Sequence, residues 1–112
     1  MNIRANQQGP ITIVSIVGSL DALTAPEAAT YLSAQIGKGN KHLVVDLGQV
    51  EFMSSAGLRA ILAALKESRQ QGGDLRIAGA SANVEKVLKM SGFTSILKTF
   101  ATSDEAVASF GS

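Results

Sequence analysis

The chain alternates between short apolar runs and longer stretches in which apolar residues recur every three or four positions. Residues 11–17 are almost continuously apolar and β-branched, which is typical of a strand covered on both faces, and residues 43–47 form a second run of this kind. Residues 3–6 are predicted to pair with the first run through the turn that follows them. Two shorter strands are predicted at residues 75–78 and around Phe100.

Four helices are predicted between and after these strands. The first begins at Thr24, whose hydroxyl is expected to form a capping box with Glu27. In the second, apolar residues lie at positions 58, 61, 62 and 65, which is the spacing of an amphipathic helix. Ser81 is predicted to cap the third helix, and the fourth opens near Thr102.

This alternation of strands and helices predicts an α/β fold with a mixed, mostly parallel sheet. We expect roughly four or five strands, about four helices and right-handed β-α crossovers. The chain has 112 residues, of which 46% are hydrophobic, and this is enough for one core. The span 1–112 is therefore interpreted as a single domain.

The composition narrows the range of functions. A net charge of +1 gives no case for a nucleic-acid or anionic-membrane partner. No apolar run is long enough to span a bilayer, and the N-terminus lacks the pattern of a signal peptide, so a cytoplasmic location is expected. The chain has no cysteine and one histidine, so neither a metal site nor a cofactor is expected.

Two adjacent serines, Ser54 and Ser55, lie where the predicted strand 43–47 gives way to the second helix. The first turn of a helix has N–H groups without intrahelical partners and the positive end of the macrodipole. A hydroxyl there suits a helix cap, a phosphorylation site or both. His42 precedes the same strand, which places it about 15 Å from Ser55. A serine–histidine–acid triad needs hydrogen-bond contact, so the chain is not expected to be an enzyme of that kind.

Several short sequences along the chain form a combined pattern that extends beyond the two serines. They are Gly18-Ser19-Leu20-Asp21, Pro26, Leu43-Val44-Val45-Asp46-Leu47, Phe52-Met53-Ser54-Ser55-Ala56-Gly57-Leu58, Gly72-Gly73 and Lys89-Met90-Ser91-Gly92-Phe93. In combination they resemble the bacterial anti-sigma factor antagonists, whose fold is the STAS domain shared with the tails of sulfate transporters. The resemblance covers nearly the whole chain.

The resemblance implies a non-enzymatic switch protein. Such a protein, when unphosphorylated, sequesters an anti-sigma factor that is also a serine kinase of the histidine-kinase-like ATPase type, and so frees a sigma factor. The kinase phosphorylates the serine two residues before a glycine, and a serine phosphatase reverses the modification. That serine is Ser55 here, and Ser54, where the family often has aspartate, is the second candidate acceptor. The expected partner-binding residues are Asp21, Leu23, Thr24, Met53, Ser54, Ser55, Gly57 and Leu58.

Two other functions remain as alternatives. A stand-alone domain of this fold can be a regulatory or structural subunit that docks on the ATPase of an ABC transporter. The glycine-rich turns and the loops at the ends of the strands also fit a module that binds a small ligand or a nucleotide. Within the expected partner-binding set, a core position is the competing interpretation for Met53 and for Leu58, which begins the apolar stripe of the second helix.

Overall fold

The computed structural model describes residues 1–111, and within them the chain folds as a sheet with helices on both faces. The predicted span 1–112 ends on Ser112, which lies outside the described residues. The strands are β1 (Asn2–Gln8), β2 (Ile11–Leu20), β3 (His42–Met53), β4 (Asp74–Ala78) and β5 (Thr99–Phe100). The helices are α1 (Ala25–Gly37), α2 (Ser55–Gln70), α3 (Ala82–Met90) and α4 (Ser103–Ser109), with a 3-10 turn at Phe93–Ser95.

The five described strands follow one another across the sheet in chain order, β1-β2-β3-β4-β5. β1 is antiparallel to β2, with Ile3 opposite Ile16, and every other neighbouring pair is parallel. The predicted pairing of the N-terminal strand is therefore confirmed, and so is the mixed, mostly parallel α/β sheet.

The sheet separates two apolar clusters. Alternate residues of a strand point to opposite faces, so Val45 contributes to one cluster and Val44 to the other. The main cluster lies on the face covered by α1, α2 and α3, and includes Leu32, Ile61 and Leu88. The smaller cluster lies under α4, whose Ala106 is fully buried.

β3 is much longer than the predicted strand 43–47. Its second half mixes polar and apolar residues, with Gly48, Gln49 and Glu51 exposed, so the continuous apolar run ends before the strand does. Backbone pairing with β2 nevertheless continues through two register shifts as far as Leu20 opposite Met53. The last residue of β3 is thereby fixed beside the last residue of β2.

The capping box predicted for α1 is absent from the structure. Thr24 is the residue before the helix, but its hydroxyl makes no cap hydrogen bond. That oxygen instead accepts a hydrogen bond from the Asp21 N–H at 2.9 Å and donates one to the Ser19 carbonyl at 2.8 Å. The prediction failed because the preceding loop competes for the same hydroxyl. The predicted cap of α3 is confirmed at Ser81. The start of α4 near Thr102 is confirmed as well, and there the Thr102 hydroxyl accepts the Glu105 N–H.

One carboxylate, Asp74 at the start of β4, is shared between two guanidinium groups. Arg69 Nε donates to Asp74 Oδ1 at 3.0 Å and Arg76 Nε donates to Oδ2 at 3.1 Å. Burial raises the pKa of Asp74, but the two arginine hydrogen bonds, the Leu75 N–H and the charge of Arg69 outweigh it, so the net pKa lies below its ordinary value.

The stability of the fold is expected to depend on the ionisation of Asp74. Because its pKa is depressed in the folded state, the stabilisation is complete above the ordinary aspartate pKa of about 3.9 and is lost as the pH falls through the lower folded value. Asp74→Asn should therefore lower the free energy of unfolding at neutral pH and make little difference in strong acid. Urea unfolding of both proteins at several pH values measures this. A difference in the free energy of unfolding between the two proteins that stays constant at every pH would contradict the stabilising role of the ionised Asp74.

Candidate functional site

Ser54 connects β3 to α2 and caps the helix. Its backbone is extended, with φ −92° and ψ 173°, and its Oγ accepts a hydrogen bond from the Gly57 N–H at 3.4 Å. The Ser54 N–H donates to the Leu20 carbonyl at 2.9 Å, which ties the connection to the end of β2. The half-buried Ser54 therefore has a structural role in starting the helix.

Ser55 is the first residue of α2, and its side chain is exposed. Within residues 1–111 its hydroxyl makes no hydrogen bond. The first turn of α2 contains no acidic residue, so no carboxylate of that turn offsets the positive end of the helix dipole. Ser55 thus offers a free hydroxyl at a position where added negative charge is favourable.

The loop between β2 and α1 forms the second part of the site. Asp21 Oδ1 accepts hydrogen bonds from the Leu23 N–H at 2.9 Å and the Thr24 N–H at 3.2 Å. Together with the bonds of the Thr24 hydroxyl, these contacts fix the loop and leave Leu23 90% exposed. Asp21 and Thr24 therefore shape the loop, while Leu23 is the residue that the loop presents to solvent.

Gly57 allows the first turn of α2 to approach the end of β2. A Cβ atom at this position would lie 2.5 Å from the Leu20 carbonyl oxygen and 2.7 Å from Leu20 Cγ. Only glycine fits without a shift, so backbone packs against backbone at this point. Since Leu20 directly precedes the Asp21 loop, this contact brings Leu23 and Ser55 to the same end of the molecule.

Three of the expected partner-binding residues lie in the interior. Met53 is 1% exposed and Leu58 is 5% exposed, because each packs into the main apolar cluster, and Gly57 is buried against Leu20. They do not offer surface to a partner, so the core interpretation is confirmed for Met53 and Leu58, and the assignment of Gly57 is corrected to a packing position. The side chains of this set that are exposed are those of Leu23 and Ser55, with Asp21, Thr24 and Ser54 half-buried beside them.

Phe52 was missed as a candidate contact residue. Its side chain is 53% exposed, whereas that of the next residue, Met53, is buried. The sequence carried no regular signal for this, because the register shifts interrupt the alternation and the buried residues Leu47, Val50 and Met53 lie three apart. We define the switch surface as Leu23, Phe52, Ser54 and Ser55, together with the loop residues Asp21 and Thr24.

The described part of the chain does not bring His42 and Ser55 together. His42 begins β3 while Ser55 follows its last residues, so the two lie at opposite ends of the longest strand. His42 is half-buried and makes an edge contact with the Phe110 ring, with centroids 5.6 Å apart. Residues 1–111 contain no cluster of three or more potential metal ligands among His, Cys, Asp and Glu.

Removing the Ser54 cap is expected to destabilise the protein modestly. Ser54→Ala should lower the free energy of unfolding by about 0.5–1 kcal/mol, the lower half of the usual range for a helix cap, because the capping bond is long. Urea denaturation measures the change. Ser55→Ala is the matched control and should stay within about 0.5 kcal/mol of the unmodified protein. An equal loss in both variants would contradict the assignment of the cap to Ser54.

Comparisons with known proteins agree with this architecture. Residues 2–106 match the STAS domain, and the chain therefore belongs to the STAS domain family. BtrV of Bordetella bronchiseptica, a candidate anti-sigma factor antagonist, is 32% identical over 110 residues, which is 98% of this chain and 95% of that protein. The resemblance to the STAS-domain anti-sigma factor antagonists that the sequence predicted is thus confirmed.

Solved structures share the fold. An anti-sigma factor antagonist from Mycobacterium paratuberculosis gives a TM-score of 0.91 at 22% identity, covering 99% of this chain and 94% of that one. SpoIIAA of Bacillus in its phosphorylated form gives a TM-score of 0.75 at 20% identity, covering 97% of this chain and 99% of that one. The fold is therefore that of the anti-sigma factor antagonists. Across residues 1–111, no helix combines the length and hydropathy needed to cross a membrane.

Proposed function

We propose that this chain is an anti-sigma factor antagonist whose binding is controlled by phosphorylation of Ser55. Its partner in this proposal is an anti-sigma factor and serine kinase of the histidine-kinase-like ATPase type, and a serine phosphatase restores the binding form. The observation that carries the proposal is the position of Ser55, an exposed hydroxyl at the positive end of α2, at the end of the molecule where the side chains of Leu23 and Phe52 are also exposed.

Ser55 is preferred to Ser54 as the acceptor on structural grounds. The Ser54 oxygen accepts the Gly57 N–H and the residue is half-buried, so modification there would break the cap. The Ser55 hydroxyl has no partner among residues 1–111, and its modification breaks no hydrogen bond within them. Ser54 fills the position where the related antagonists often have aspartate and performs the capping role there.

The fold tolerates a phosphate on Ser55. A phosphoserine adds a charge of about −1.5 to −2, and negative charge at the first turn of a helix is stabilising by about 0.3–1 kcal/mol. Arg59, exposed one turn further along α2, adds a positive charge on the same face of the helix. The modified protein is therefore expected to keep the same structure.

A partner that covers the switch surface does not tolerate the same phosphate. Leu23 and Phe52 offer apolar contact area, and burying them removes water from the neighbouring Ser55. A buried charge without matched partners costs several kcal/mol. At about 1.4 kcal/mol per tenfold, this weakens binding by orders of magnitude. The chain acts in this proposal as a non-enzymatic binding protein of the cytoplasm, and the switch is an electrostatic block.

Affinity capture with site mapping tests the proposal. Tagged protein, Ser55→Ala, Ser54→Ala and Ser55→Asp are incubated with native lysate, and bound proteins and phosphopeptides are identified by mass spectrometry. We expect an ATPase-type kinase bound to every form except Ser55→Asp, and phosphate on Ser55 that persists in Ser54→Ala. Capture of a transporter ATPase that is indifferent to charge at Ser55, or phosphate on Ser54 alone, would refute the proposal.

A further inference from the structure

A groove runs along the C-terminal half of α2, away from the switch surface. One wall is a helical stripe, Leu62, Leu65, Lys66 and Arg69, with the i, i+3, i+4, i+7 spacing of a single helix face. The other wall is formed by Phe93 and Ile96, which come from the 3-10 turn and the residue that follows it. The groove has a volume of about 550 Å³. We refer to it as the α2 groove.

The interior of the α2 groove is apolar and incompletely covered. Leu65 is buried, Leu62 and Phe93 pack against the main apolar cluster while staying partly accessible, and Ile96 is 43% exposed. Single exposed apolar residues are ordinary on protein surfaces, but these four line one concavity. An apolar concavity with a few polar groups at its edge is the usual form of a small-molecule site.

The edge of the groove carries positive charge. Arg69 lies at this edge, where its guanidinium donates to Asp74 Oδ1 at 3.0 Å and to the Ile96 carbonyl at 2.7 Å. Asp74 is shared with Arg76, so it offsets the charge of Arg69 only in part. Lys66 is exposed and makes no ion pair within residues 1–111, and the groove lining contains no carboxylate. The charge selects an anionic partner.

We propose that the α2 groove binds an anionic amphiphile, an aliphatic chain that carries a carboxylate. The chain would lie along Leu62, Phe93 and Ile96, and the carboxylate would meet Lys66 and Arg69 at the rim. The volume falls within the range of roughly 300–1,000 Å³ that small-molecule sites occupy. Residues 62–70 of α2 span only about 12 Å, whereas a specific protein interface buries roughly 1,200–2,000 Å², so a partner helix is the poorer fit.

Monomeric decanoate, below its micelle concentration, is the probe. We expect it to raise the melting temperature in a concentration-dependent way and to shift backbone amide resonances of residues 62–70 and 93–97. Decyltrimethylammonium has an aliphatic chain of nearly the same length with the opposite charge and should produce neither effect. Equal responses to the two amphiphiles, resonance shifts at other residues, or no response to decanoate would overturn the proposal. Binding to phosphatidylglycerol vesicles without a response to decanoate would assign the groove to a membrane surface and overturn it equally.

Three variants connect the probe to the groove. Ile96→Glu removes an apolar contact and adds negative charge at the rim, and should weaken decanoate binding at least about tenfold. Lys66→Gln should weaken it roughly two- to fivefold. Met90→Glu is the matched control, since Met90 is 79% exposed, does not line the groove and receives the same change of charge. Equal losses in Met90→Glu and Ile96→Glu would refute the site. None of these variants touches Ser55, so the outcome is separate from that of the phosphorylation proposal.

Discussion

Ser55→Asp is expected to weaken binding to the captured anti-sigma factor kinase by at least about a hundredfold, which corresponds to about 2.7 kcal/mol. A partner that covers the exposed side chains of Leu23 and Phe52 at this end of the molecule would also cover the carboxylate, which loses its hydration without a matched cation. The melting temperature should stay the same or rise slightly, because the helix dipole favours an acidic residue at this position. Titration calorimetry with purified partner and thermal unfolding measure the two quantities.

Thr94→Asp is the control for this experiment. Thr94 is exposed in the 3-10 turn, beside the groove at the C-terminal half of α2, and receives the same charge without lying on the switch surface. Its affinity for the partner should match that of the unmodified protein. The electrostatic block would be wrong if Ser55→Asp bound as tightly as Thr94→Asp, or if Ser55→Asp unfolded the protein.

The second large effect is expected at Gly57. Gly57→Ala places a Cβ atom 2.5 Å from the Leu20 carbonyl oxygen, which is backbone and cannot move aside as a flexible side chain would. We expect a loss of about 3 kcal/mol in the free energy of unfolding, the upper end of the usual cost of overpacking. Urea denaturation should show a lower midpoint with an unchanged dependence on denaturant.

Gly37→Ala provides the comparison for Gly57→Ala. Gly37 ends α1, and a Cβ atom there has no other atom within 4 Å. Alanine also has the higher helix propensity, so this variant should be as stable as the unmodified protein or more stable by up to about 1 kcal/mol. A Gly57→Ala protein as stable as Gly37→Ala would show that α2 and the end of β2 are less closely packed than described here.

Where the apolar pattern was regular, the sequence predicted the fold well. Residues 11–17 and the helical stripe from Leu58 are continuous signals, and both elements occur as expected. β3 was cut short because Gln49 is exposed although its backbone pairs with Val17, and side-chain polarity carries no information on that pairing. The register between two strands, such as the pairing of Leu20 with Met53, depends on tertiary structure and is not visible in the local sequence pattern.

The candidate site was predicted less completely, for a related reason. The serines were found because a strand-to-helix junction is visible in the sequence. Met53 and Leu58 were included among the partner-binding residues because they are close to the serines, and the competing core interpretation is the one that the structure confirms. Thr24 matched the capping pattern, but the competing Asp21 loop is apparent only in three dimensions.

The free hydroxyl of Ser55 has a consequence for the speed of the response. Because no hydrogen bond among residues 1–111 involves that hydroxyl, adding or removing a phosphate would require no rearrangement of the chain, which leaves no slow relaxation between the chemical event and the change in affinity. The rate of the response would then be limited by the turnover of the modifying enzymes and by the dissociation of the complex. The amounts of kinase and phosphatase alone would then set how long the binding form persists, because this protein would add no slow conformational step of its own.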